Sequence, residues 1–319
     1  MPRLLASLLA SLLAASAFAQ SYPSKPVRVI VPYGPGGSTD LNGRAIAAKL
    51  QEALGQSFVV ENKPGASAMI GAAEVARAAP DGHTLLVGSP QPIILNPLFF
   101  KEMPYAAETA FAPVAITLLS PNYILVDPST PVHTVPDLIA WAKANPGKVF
   151  YASSGNGSSG HLTGLLLNKL GGIDMQHIGY KGSAGAVADV IAGRIPVLID
   201  QPVPAISHVR AGKLRAVATG TVTRVPALPN LQTVQEQGLA GFESSTWFGF
   251  FAPAGTPRTA IDRLWGEIQK IVKMPDVRDK FEPAGYLMGS IGPDEAAAKI
   301  RTERGKWTQL VREAGVKPE

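Results

Sequence analysis

Two glycine- and serine-rich runs carry the most chemistry in this chain. Pro32-Tyr33-Gly34-Pro35-Gly36-Gly37-Ser38-Thr39-Asp40 and Ser153-Ser154-Gly155-Asn156-Gly157-Ser158-Ser159-Gly160-His161-Leu162 each follow a short apolar run and precede a helical pattern. Consecutive glycines let backbone approach a ligand closely, and the loop between a strand and a helix N-terminus presents unpaired N–H groups at the positive end of the helix dipole. Hydroxyls beside those amides add donors without a competing charge, which suits a carboxylate. Candidate ligand contacts are therefore Tyr33, Gly36, Gly37 and Ser38 in the first loop and Ser154, Gly155, Gly157, Ser158 and Gly160 in the second. A plain tight turn with a serine cap is the competing reading of each. Asp40, in a first helical turn, reads as a residue that compensates the helix dipole.

Further candidates stand where other strands end. Ser89 follows an apolar strand in the first half, and Ala184 lies in the loop Tyr180-Lys181-Gly182-Ser183-Ala184-Gly185-Ala186 in the second. Asp200 ends Ile195 to Ile199; it can meet a ligand through water or an amino group, or cap a helix near Pro202. His161 is either a ligand donor or a histidine satisfied by local backbone. The remaining histidines stand singly with no metal-ligand spacing, so no metal is expected.

Catalysis has little support. There is no cysteine nucleophile, no G-x-S-x-G elbow and no carboxylate pair at the loop ends. Gly155, Gly157 and Gly160 do spell G-x-G-x-x-G, the dinucleotide fingerprint, so an exported enzyme or a nicotinamide dehydrogenase is the alternative. That site also wants an acid at the end of the following strand, where Gly179-Tyr180-Lys181 stand instead. No cofactor is expected.

Positioning such loops requires α/β architecture. Val27 to Val31, Ser57 to Val60 and Thr84 to Val87 read as strands in the first half. Lys148 to Ala152, Met175 to Ile178, Ile195 to Ile199 and Leu214 to Ala218 do so in the second. Helical stretches alternate with them, closed by glycine at Gly55 and by Pro80-Asp81-Gly82. Thr134-Val135-Pro136-Asp137 opens a helix with a capping-box-like pattern, Thr256-Pro257 starts another with the threonine as cap, and Pro293 to Ala314 is a long final helix. The alternation predicts parallel sheets covered by helices on both faces.

The address is written at the start. Arg3, the apolar stretch Leu4 to Phe18 and Ala17-Phe18-Ala19 form the layout of a cleavable secretory signal over 1–19, with Gln20 as the expected mature start. The apolar run is shorter than the roughly 20 residues that span a bilayer. Removing Arg3, the one charged residue of that segment, takes the formal charge from +5 to +4, and the basic residues are scattered, so no nucleic-acid face is expected. A mildly positive surface favours encounter with small anions.

The order and spacing of these runs resemble the Bug family, the periplasmic receptors of tripartite tricarboxylate transporters. The resemblance covers Val-Pro-Tyr-Gly-Pro-Gly-Gly at 31–37, Val-Glu-Asn-Lys-Pro-Gly-Ala at 60–66, Pro-Asp-Gly-His-Thr-Leu at 80–85 and Phe-Ala-Pro-Val at 111–114. It continues through 155–162, Tyr-Lys-Gly at 180–182, Ala-Gly-Lys-Leu-Arg-Ala at 211–216 and Phe-Ala-Pro-Ala-Gly-Thr-Pro at 251–257. It implies a type II periplasmic-binding-protein fold: two α/β lobes joined by two crossing segments near Ser120–Tyr123 and Ser244–Phe248, with a central ligand cleft. On that reading lobe 1 is discontinuous, 20–122 plus 245–319, lobe 2 is 123–244, and a carboxylate is gripped by Tyr33–Ser38 and Ser153–Gly160. A monomer that hands its ligand to membrane permease subunits or to a sensor is the expected partner scheme, with di- or tricarboxylates, acidic amino acids and aromatic acids all open as the ligand. Ile178-Gly179-Tyr180, where the family often has Val-Pro-Tyr, and Pro229 to Thr233, in place of a Leu-Pro-Asp-Val-Pro-Thr type of run, depart from the pattern.

Overall fold

The computed structural model describes residues 22–315. The signal segment 1–19 and Gln20 lie outside the described residues. Among the described residues no helix is long and apolar enough to cross a membrane.

Two mixed sheets organise the chain. The first holds β1 (Val27–Val31), β2 (Phe58–Asn62), β3 (Thr84–Gly88), β4 (Phe111–Pro121), β10 (Ser245–Pro253) and β11 (Leu287–Ile291), in the order β11-β4-β10-β3-β1-β2. The second holds β5 (Tyr123–Val126), β6 (Phe150–Ser153), β7 (Gln176–Gly179), β8 (Val197–Asp200) and β9 (Arg215–Thr219), in the order β7-β6-β8-β5-β9. The fully parallel pairing expected from the alternation holds only for β1 with β2 and β3, and for β6 with β7 and β8. The long strand β10 runs antiparallel to β3 and β4, and β5 runs antiparallel to β8 and β9. These exceptions are the strands that carry the chain from one sheet to the other, so their direction is set by the crossing rather than by a βαβ unit.

Helices close each sheet. In the first half, α1 (Ser38–Leu54) ends at Gly55, whose left-handed backbone (φ 68°) stops it, and α2 (Met69–Ala76) covers β3 and β1. A π-helical turn at Gln91–Leu95 leads into the short α3 (Asn96–Phe99). In the second half, α4 (Val135–Ala144) starts with the expected capping box, with Thr134 accepting from the Asp137 amide. It is followed by α5 (Ser159–Gly171), α6 (Ser183–Ile191) and α7 (Pro202–Arg210). The chain then returns to the first half as α8 (Arg258–Ile271), α9 (Pro275–Phe281) and α10 (Pro293–Glu313). Thr256 does not cap α8; its hydroxyl donates to the Pro253 carbonyl at 2.8 Å, and the cap position falls on Pro257.

The apolar strand residues split between opposite faces as a period of two requires: Tyr123 and Leu125 join one cluster with Leu198, while Ile124 and Val126 join another with Val197 and Ile199. The two passages between sheets lie side by side. The Gly220 amide donates to the Asn122 carbonyl at 2.8 Å, the Ser244 amide donates to the Gly220 carbonyl at 2.8 Å, and Ser245 pairs with Pro121. A side chain at Gly220 would put its Cβ 2.5 Å from the Ser244 carbonyl oxygen, so glycine is what lets the strands approach there.

Candidate functional site

At the carboxyl end of β1 the chain turns through Pro32 to Gly37 into α1. Gly36 takes a left-handed backbone (φ 84°) and its amide donates to Asp40 Oδ2 at 2.9 Å. Asp40 also accepts from Arg44 Nε at 3.0 Å and from Asn62 Nδ2 at 2.8 Å. Burial by itself would raise the Asp40 carboxyl, but the bonds from Arg44, Gly36 and Asn62 outweigh it and hold the pKa below the ordinary value. Asp40 thus fixes the loop in shape from behind. The Tyr33 hydroxyl bonds Ser89 Oγ at 2.8 Å, tying the ends of the adjacent strands β1 and β3, and burial pushes its pKa up to about 12. The Ser38 hydroxyl meets that of Tyr286. No side chain caps α1, which leaves its first amides to other partners.

The second loop is built around Ser153. Its fully buried Oγ sits 2.7 Å from His177 Nε2, accepts from the Gly155 amide at 3.2 Å and receives Ser158 Oγ at 3.1 Å. Ser158 is the N-cap of α5, accepting from the His161 amide at 3.2 Å. The His161 ring stacks on His177 with centroids 3.9 Å apart, and its Nδ1 accepts from the Gly157 amide at 3.1 Å. Burial lowers the pKa of His161 to about 4, and burial together with the His161 ring lowers that of His177 to about 3. Both rings are neutral and hold the loop: His161 Nδ1 accepts from the Gly157 amide, and Ser153 Oγ, which donates to the Gly155 carbonyl at 3.1 Å, is bonded by His177 Nε2. The Ser153–His177 contact resembles a nucleophile and its base, but Ser153 does not line the cleft and a histidine held near pKa 3 is a weak base.

These loops face each other across a cavity of about 430 Å³. Of the residues predicted from sequence, Tyr33, Gly37, Ser38 and Ser89 line it from the first sheet and Ser154, Gly155 and Ser158 from the second. Ser154 lines the cleft, and its hydroxyl makes no hydrogen bond among the described residues.

The other five predicted residues lie off the lining. The Gly36 amide is committed to Asp40. Gly157 packs under Phe99, where an added Cβ would sit 3.2 Å from the ring, and its amide goes to His161. Gly160 is a packing glycine: an added Cβ would stand 2.1 Å from the Ile199 carbonyl oxygen, so the start of α5 rides directly on β8. Ala184 is exposed in the first turn of α6, which packs against β6 and β8, and it is not part of the lining. Asp200 is buried on the face of β8 that carries Leu198, with Oδ1 accepting from the Gln201 amide at 2.8 Å and Oδ2 unpartnered. Its neighbour Gln201 takes the cleft position instead.

Sequence reasoning missed the residues brought in by non-local contacts. Ser244, Ser245 and Thr246 arrive on the second crossing, and Gln91 and Asn156 add amides. Pro90, Leu95, Leu162, Phe248 and Trp307 form the apolar part of the wall. The crossings carry a polar web: Thr163 Oγ1 meets Ser244 Oγ at 2.5 Å, Ser159 Oγ donates to Asn122 Oδ1 at 2.9 Å, and Ser120 Oγ donates to Gln201 Oε1 at 3.3 Å. A signal existed for Ser244 to Thr246, a polar run opening an apolar strand; none existed for Trp307, which lies in the long final helix far from either loop in sequence.

Among the described residues no charged side chain lines the cavity. Hydroxyls, amides and helix amides can hold an anion by hydrogen bonds alone. The dinucleotide reading finds no acid at its ribose position, since β7 ends at Gly179 and Tyr180-Lys181 follow.

Comparison with known proteins places the chain in a family. The family model described as tripartite tricarboxylate transporter family receptor matches residues 43–316. A Pseudomonas sp. (strain P51) protein, "UPF0065 protein in tcbD-tcbE intergenic region", is 35% identical over 97% of this chain and 93% of its own length. An R. palustris protein solved with adipate superposes with a TM-score of 0.80 at 34% identity, covering 94% of this chain and 100% of its own. MatC from Rhodopseudomonas palustris with bound malate gives a TM-score of 0.74 at 31% identity, covering 91% and 100%. With a family model spanning most of its length and relatives of the same two-sheet fold, the chain belongs to the tripartite tricarboxylate transporter receptor family, the Bug-type periplasmic solute-binding proteins.

Proposed function

We propose that this protein captures a small carboxylate between two lobes in the periplasm and delivers it to the membrane subunits of a tripartite tricarboxylate transporter. The observation that carries this reading is the convergence of hydroxyl and amide groups from both sheets on one cavity without a charged side chain. The adipate and malate held by two relatives are of the same chemical class. The carboxylate is met by the hydroxyls of Ser38 and Ser154 with the amide of Gly37, and the hydrocarbon body lies along Leu95, Leu162, Phe248 and Trp307.

The lobes are 20–122 with 245–319, and 123–244, and the chain works as a monomer exported by its signal segment 1–19. Support for these limits comes from the strand membership of the two sheets. Closure is driven by the ligand's preference for the closed state; a shift from mostly open to mostly closed takes roughly 5 kcal/mol. Two or three charge-assisted hydrogen bonds of about 1.5–3 kcal/mol each supply it. On this reading the protein turns over no substrate; among the described residues the side-chain contact of Ser153 with His177 is buried away from the cleft.

A thermal-shift screen of mono- and dicarboxylates, followed by calorimetry, tests the proposal. Wild type is expected to gain Tm with at least one acid and to leave it chemically unchanged. Ser154→Ala is expected to weaken that acid by about tenfold or more, since one hydrogen bond to a charged group is lost, with the ligand-free Tm unaltered. Absence of any shift across the screen, or wild-type affinity in the variant, would sink this reading.

A further inference from the structure

The final helix has one face that neither the fold nor the cleft uses. Ala296, Ile300, Trp307, Leu310 and Val311 bury its apolar side. Its acids are mostly committed: Asp294 to Arg258, Glu303 to Lys299 and Glu313 to Lys169. On the opposite side Arg301, Arg304, Thr308 and Arg312 stand with Gly305 on one open face of the helix. Arg301 and Arg312 are exposed and form no ion pair among the described residues. Arg304 is pinned beside them, donating to the carbonyls of Ile93 at 3.1 Å and Ala107 at 3.3 Å. Eleven residues are about three helical turns, so the outer guanidinia stand on one line about 16 Å long.

We infer that this arginine face of α10 docks an acidic surface of the transporter's membrane subunits, an inference that rests on the receptor reading above. Exposed guanidinia without internal partners are planar forks matched to carboxylates, and they carry a smaller desolvation cost than ammonium groups. A lipid surface fits less well: three cations fall below the four to eight that typify anionic-lipid binding, and the apolar side of the helix is already buried. The position also suits a receptor. Trp307, between Arg304 and Thr308 in sequence, lines the ligand cleft, and Glu313 at the helix end is paired at 2.6 Å with Lys169 of α5 in the other half. A partner seated on this helix therefore touches an element in contact with the ligand cavity and with both halves of the molecule.

The test uses the full mature chain and its double variant Arg301→Glu/Arg312→Glu, with Arg304 left in place. The probe is the pair of membrane subunits of a tripartite tricarboxylate transporter from the same genome, held in nanodiscs of neutral lipid; empty nanodiscs containing phosphatidylglycerol form the second arm. Wild type is expected to bind the subunits with an affinity that falls as salt rises from about 50 to about 200 mM, and the double variant to bind at least about tenfold more weakly. Its Tm and its shift with the acid found in the screen are expected to match wild type. Arg301→Gln/Arg312→Gln, which removes charge without adding any, should fall between them and covers the case of a misfolded double variant. Equal binding by wild type and variants overturns this surface while leaving the receptor reading intact. Retention of wild type by the empty anionic nanodiscs also overturns it, in favour of lipid. No binding by any form, with carboxylate binding preserved, removes delivery to that transporter and this inference with it.

Discussion

Replacing His161 with Asn removes one titrating ring from behind the ligand loop while keeping an acceptor for the Gly157 amide. The unfolded chain protonates both histidines near the ordinary value of 6.5, whereas the folded, stacked pair stays neutral down to about 4 for His161 and about 3 for His177. Between those limits the unfolded state binds more protons, so stability falls as pH falls. From pH 7.5 to 5.0 the linkage amounts to about 2 kcal/mol for each ring, about 4 kcal/mol together, against a typical total of 5–15 kcal/mol. Urea unfolding at the two pH values measures it directly. Wild type should lose about 4 kcal/mol and His161→Asn about half of that, with histidines elsewhere cancelling in the comparison. Protonated His161 would also aim an N–H at the Gly157 N–H, so ligand affinity should decline over the same range in wild type and less in the variant. Equal pH losses in the two proteins would refute the assignment of the titration to this pair.

Gly160→Ala forces a Cβ against the Ile199 carbonyl and should cost about 1–3 kcal/mol, read as a lower urea midpoint; an unchanged midpoint would show that α5 can lift off β8 freely. Asp200→Asn should raise stability at pH 7.5. Burial raises this carboxyl's pKa, so its contribution is present in acid and is lost as pH rises through the folded value. The variant's ligand affinity should equal wild type, and a large loss would return Asp200 to the site. Trp307→Ala empties a nearly buried ring that also walls the cleft, so unfolding should become easier by about 3–5 kcal/mol and acids with a longer hydrocarbon body should lose most affinity, by calorimetry.

How much was legible follows from how local each cause is. Gly55 stopping α1 and Thr134 with Asp137 opening α4 are decided within four residues, and both read correctly from the chain. The direction of β10 and β5 was not legible, because it depends on which sheet the chain enters after each crossing. Among the residues around the cavity, Tyr33, Ser38 and Ser154 follow from their place at strand ends, whereas Asp200 and Gln201 differ by a single step of strand alternation that turns one inward and the other to the cleft.

The amino-acid sequence by itself determined the two strand–glycine–helix loops, their donors and the absence of charge within them, since those depend on residue type and immediate neighbours. Tertiary structure alone decided which donors remain free. Gly36 is spent on Asp40, Gly157 on His161 and Gly160 on packing, while Ser154 is left open and Trp307 is delivered from the far end of the chain. The physical reason is that a buried amide or hydroxyl takes whichever partner the fold brings within about 3 Å, and that partner can lie hundreds of residues away.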